Sequence, residues 1–97
     1  MIRAIAYRHG DRWIGQCLEF DLAAQADTRD KILDELARVV EPHVEASREN
    51  GVEPFVNLPR APNLYFQMFD SVRSQHKHIL SATGGSKDKT ELELAYA

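Results

Sequence analysis

From Ile2 the chain alternates. Ile2, Ala4 and Ala6 fall on one side and Arg3, Ile5 and Tyr7 on the other, the period of two that a strand requires. His9-Gly10-Asp11 breaks the pattern, and Gly10 can adopt the positive φ of a tight turn without the penalty that a Cβ would add. Alternation resumes through residues 12 to 18, with Trp13, Gly15 and Cys17 on one side and Ile14, Gln16 and Leu18 on the other. The two runs predict a hairpin. A glycine inside a strand leaves room that another element usually takes, so Gly15 predicts a helix lying close over the sheet. Leu22 to Ala26 is poor in β-branched residues and is expected to be a third strand from its context more than from propensity.

Asp27 or Thr28 can cap a helix whose dipole also favours Asp30. Ile32, Leu33, Leu36, Val39, Val40, His43 and Val44 recur at spacings of three and four, forming one apolar stripe, and Asn50-Gly51 supplies the stop. Pro42 in the interior costs about 3 kcal/mol through its missing N–H and its ring. Because the stripe keeps its phase through Val44, one kinked helix is expected there, not two. Pro54, Pro59 and Pro62 then enforce an irregular path, and Leu64 to Phe69 predicts a short helix. Residues 81 to 90 have the composition of a flexible linker. Glu91 to Tyr96 alternates again, predicting a strand that returns to the sheet edge or joins a neighbour's sheet. The chain thus divides into a first unit of strands and helix over 1–60, a Pro-led aromatic helical extension over 61–80, and a linker with a terminal strand over 81–97.

At 97 residues this is the length of one domain. The net charge of −3 originates in residues 1 to 50, which hold 7 Lys and Arg against 10 Asp and Glu, while residues 51 to 97 balance at 5 against 5. Such a balance disfavours direct binding of nucleic acid, which draws its affinity from basic patches, and favours a basic protein partner. No apolar run approaches the roughly 20 residues of a membrane span, and a cytoplasmic location with no membrane partner is expected. The single cysteine, Cys17, excludes an internal disulfide and cysteine-rich zinc frameworks.

Candidate chemistry is sparse. Glu19 and Asp21, two apart, with Asp27 as a third carboxylate, have the composition of a metal or general acid site, though in a turn such residues are more often solvated charges. His76-x-His78 offers two metal ligands without a third. A strand cysteine such as Cys17 is usually a small core residue, and His43 on an apolar stripe is usually structural. Gly84-Gly85 opens no phosphate-binding helix. No catalytic residue, cofactor or metal site is assigned. Trp13, Glu19, Asp21 and Asp27 are the candidates for contact with a partner.

The stretch from Cys17 to Thr28 follows a Trp-containing strand and precedes an amphipathic helix that ends in Glu-Asn-Gly with a Pro-rich exit. It resembles the HicB family of antitoxins and their stand-alone relatives. Leu18, Glu19, Asp21, Leu22, Ala23, Gln25, Asp27 and Thr28 match the family's pattern, and Ala26 stands where glycine is commonest. The likeness covers residues 1 to about 60. It implies an α+β fold, a three-stranded antiparallel sheet with a possible fourth strand packed by one long helix, half-sized ribonuclease-H-like but without that enzyme's active site, here with a short C-terminal helical extension. It also implies a non-enzymatic protein-binding module that neutralises a small basic RNA-cleaving toxin. The DNA-binding module that many members carry has no counterpart in residues 62 to 97. Two alternatives stand beside this reading: a divergent metal-dependent nuclease using Glu19, Asp21 and Asp27, and a homo-oligomer that exchanges its terminal strand.

Overall fold

The computed structural model describes residues 2–72, 75–81 and 89–97. The two alternating runs form a hairpin of β1 (Ile2–His9) and β2 (Arg12–Cys17), turned at Gly10 with φ +65°. A third strand, β3 (Ala23–Ala26), pairs antiparallel with β2. A 3-10 turn at Arg29–Lys31 leads into α1 (Ile32–Glu49), and α2 (Asn63–Ser71), β4 (Gln75–Ser81) and β5 (Lys89–Tyr96) follow. The protein is α+β, with one open sheet in the order β3-β2-β1-β5-β4.

The sheet is larger than the three antiparallel strands, with a possible fourth, that the sequence suggests. It has five strands and is mixed, because β5 runs parallel to β1 with Ile2 opposite Leu92 and Ala4 opposite Leu94. The terminal alternation therefore returns to the chain's own sheet as an interior strand, and its leucines are fully buried. The helical extension expected over 61–80 ends at Ser71. Residues 75–81 are instead strand, held by a seven-residue antiparallel ladder from Gln75 opposite Ala95 to Ser81 opposite Lys89. Tertiary pairing decides that segment, which has no clear period of its own. Most of the expected linker, residues 82–88, lies outside the described residues.

The period of two places each strand's residues as the alternation requires. Ile2, Ala4, Ala6, Cys17, Ala24, Ala26, Leu92 and Leu94 face α1 and form one core with its buried Ile32, Leu36, Val40 and Val44. The opposite face carries Ile5, Leu18 and Ala95, which pack with Phe69 of α2. Ala23 belongs to this second face and is exposed, whereas Ala24 and Ala26 face α1.

That crossing is tightest at Gly15, where a Cβ would sit 2.9 Å from Ile32 Cγ2 and 3.0 Å from Leu36 Cδ1. The helix continues unbroken from Ile32 to Glu49 through Pro42, so a single helix spans the sheet. Its start differs from expectation. The 3-10 turn intervenes, and neither Thr28 nor Lys31 makes a side-chain capping bond. The close approach at Gly15 predicts that Gly15→Val lowers stability by about 1–3 kcal/mol, from overpacking between sheet and helix. Urea denaturation checks it, and an unchanged midpoint would mean that α1 stands further off than described.

Candidate functional site

The turn between β2 and β3, Leu18 to Leu22, holds two of the expected contact residues, and its backbone is fixed from several sides. Leu18 N–H donates to Arg3 C=O at 2.8 Å and Cys17 N–H to Leu22 C=O at 2.9 Å. Asp21 N–H donates to Pro59 C=O at 2.7 Å, and Ala61 N–H to Leu18 C=O at 3.0 Å. The proline-rich segment is thus pinned to the turn.

Within this frame the four candidates do not converge. The Glu19 carboxylate accepts from Arg3 twice, from its backbone N–H at 2.6 Å and its Nε at 2.7 Å, which ties the turn to β1. Asp21 Oδ1 accepts from Nε2 of buried Gln16 at 2.8 Å. Asp27 lies at the other end of β3, 3.1 Å from Arg12, in a pair that is 72% exposed on the acid's side. Trp13 is paired in register with Ala26 and packs half-buried against the α1 core. Asp27 and Trp13 therefore share one end of the sheet while Glu19 and Asp21 share the other. Among the described residues no group of three or more His, Cys, Asp or Glu is placed to hold a metal ion. His76 and His78 lie on β4, opposite Leu94 and Leu92 in register.

Cys17 is fully buried beneath α1. Burial, with a smaller contribution from the Glu19 carboxylate, pushes its thiol up to about 12, so at neutral pH it is a proton-bearing core residue and not a nucleophile. Tyr7 is raised in the same direction, by burial and then by the hydroxyl of Tyr65 3.4 Å away.

The most built feature is one that the sequence does not single out. Phe20, buried between the two turn acids, stacks on Phe55 with centroids 3.8 Å apart and planes at 1°, and Phe55 in turn stacks on His43 at 4.9 Å. Phe55 has φ +70°, the left-handed region that costs a side-chain-bearing residue about 1–3 kcal/mol. It is held there by its two ring contacts and by its N–H, which donates to His43 Nε2 at 3.1 Å. With Nε2 accepting, a neutral His43 carries its proton on Nδ1. The arrangement walls a cavity of about 130 Å³ at the C-terminal end of α1, lined by His43, Ser47, Val52, Phe55, Val56 and Leu58. The only hints in the sequence are His43 on the apolar stripe and a phenylalanine following Pro54.

Compared with protein-family models, with curated proteins and with solved structures, the chain has no match. Among the described residues no helix is long and apolar enough to cross a membrane.

Glu19→Gln should cost about 1–2 kcal/mol, since it weakens two charge-assisted bonds, whereas Asp27→Asn should stay within about 0.5 kcal/mol, as exposed pairs do. Equal effects in urea denaturation would overturn this ranking. The Cys17 thiol should resist iodoacetamide in the folded protein at pH 8 and react once urea unfolds it. Because its folded value exceeds the ordinary 9.0, its contribution to stability is complete below pH 9 and drains away as pH rises towards 12. A melting temperature that holds steady across that window would contradict the assignment.

Proposed function

We propose that the chain is a non-enzymatic protein-binding module of HicB-like type, an antitoxin-like protein that holds a small basic RNA-cleaving toxin. The observation that carries the reading is the order of the first half. A hairpin, a third strand and one long helix packed across them occupy residues 2 to 49, the arrangement that the resemblance implies. Charge supports it. The excess of acid lies in this half, and the outward side of α1 carries Asp34, Glu41, Glu45 and Glu49 against Arg38 and Arg48, a surplus that suits a cationic partner.

The separate pairing of Glu19, Asp21 and Asp27 fits such a module better than a nuclease, because each acid fastens one part of the chain to another. Beyond residue 62 the chain departs from the antitoxins that carry a DNA-binding module, since α2, β4 and β5 pack on or within the same sheet. A role in binding operator DNA is not part of the proposal.

Co-expression with any small basic protein encoded beside it is the test. The expected outcome is a stoichiometric complex that weakens as salt is raised, together with relief of growth arrest. A neighbour that neither co-purifies nor is silenced removes the antitoxin reading. Sedimentation of the same preparation reports whether the chain also self-associates.

A further inference from the structure

The cavity beside Phe55 combines three properties. Its wall is maintained against backbone strain, at Phe55 with φ +70°. Beside the polar Glu53 and Asn57, its lining includes Val52 and Val56, which are 52% and 65% exposed although neither contributes to the cores. Ser47, a lining residue only 8% exposed, has a hydroxyl with no hydrogen-bond partner among the described residues. A buried hydroxyl without a partner costs about 1–3 kcal/mol, and strained backbone persists only where the surroundings hold it in place. Together they single out this corner of the molecule as a candidate binding site.

Size and charge narrow the occupant. A cavity of about 150 Å³ is the scale that accepts a benzene ring, and this one measures about 130 Å³ with an open mouth. Its ring-bearing wall, made by His43 and Phe55, favours an aromatic guest. Glu53 belongs to the lining and Glu49 stands exposed at the end of α1, and neither has an ion-pair partner among the described residues. We propose that the cavity between the end of α1 and residues 52–58 anchors a tyrosine side chain presented by a basic segment of a protein partner. The ring lies against Phe55 and His43, the phenol hydroxyl meets Ser47 Oγ, and flanking lysines or arginines meet Glu49 and Glu53. This deepens the protein-binding reading and rests on it.

The test uses the ¹⁵N-labelled full chain and probes of stated composition. Titration with p-cresol should move the amide signals of Ser47, Phe55 and Val56. Ser47→Ala should weaken p-cresol roughly three- to tenfold, the worth of one hydrogen bond, while leaving toluene unchanged. The peptide acetyl-Lys-Tyr-Arg-amide should bind there more tightly than acetyl-Glu-Tyr-Asp-amide, and Val56→Asp, at an exposed position that the fold does not need, should abolish both. Shifts that avoid this loop, indifference to Ser47→Ala, or equal binding of the acidic peptide would overturn the proposal. The two readings fail separately. A neighbouring protein that co-purifies undiminished with Val56→Asp overturns the anchor and leaves partner binding intact. Selective capture of p-cresol and the basic peptide with no co-purifying neighbour supports the anchor and removes the antitoxin.

Discussion

The structure depends on a distance that a single missing atom permits. At Gly15 the helix comes so near to β2 that a Cβ would meet Ile32 at 2.9 Å and Leu36 at 3.0 Å. Ala4, Ala6, Ala24 and Ala26 surround that point with side chains small enough to keep the same separation along the sheet. Larger residues there would lift α1 and open space between the layers. The bulk of the core is supplied instead from the helix side, by Ile32, Leu36, Val40 and Val44, and from β5 by Leu92 and Leu94. Small residues around Gly15 and large ones on the helix and β5 are two halves of one solution.

The charged residues around the β2–β3 turn behave as fasteners. Glu19 binds β1 through Arg3, Asp21 binds Gln16, and two backbone bonds join the turn to Pro59 and Ala61. These contacts bring Phe20 beneath Phe55 and so reach the end of α1 through His43. A segment rich in proline, with little regular structure of its own, thereby acquires a defined path. The Arg3 guanidinium, 5.3 Å from the Phe66 ring and 5.6 Å from that of Phe69, extends the same network to α2.

The first half of the fold was legible because its signals are local. Alternation marked β1 and β2, Gly15 announced the helix above it, and a stripe at three and four residue spacing marked α1 through Pro42. The strand at residues 75–81 was not legible, since its conformation comes from pairing with β5 and not from its own pattern. Nor was the parallel union of β1 with β5, which joins opposite ends of the described chain. Of the candidate contact residues, sequence spacing placed Glu19 and Asp21 in one turn correctly. It had no means to foresee that their carboxylates would be taken up by Arg3 and Gln16, or that Asp27 would lie with Trp13 at the far end of β3. The Phe20, Phe55 and His43 stack was hidden for the same reason, its members being apart in sequence and brought together by the turn's backbone bonds and by the Phe55 N–H on His43.

The parallel pairing of β1 with β5 also bears on how the fold is reached. Ile2 lies opposite Leu92, so the central seam of the sheet closes a loop of about ninety residues, and such remote contacts are formed only after a large loss of chain freedom. The hairpin, by contrast, needs only its own turn. Until β5 arrives, one side of β1 presents unsatisfied amides and carbonyls to whatever strand is nearest, the condition under which chains mispair or associate. The slow step of assembly and the period of greatest exposure to aggregation therefore have a common origin in that one seam.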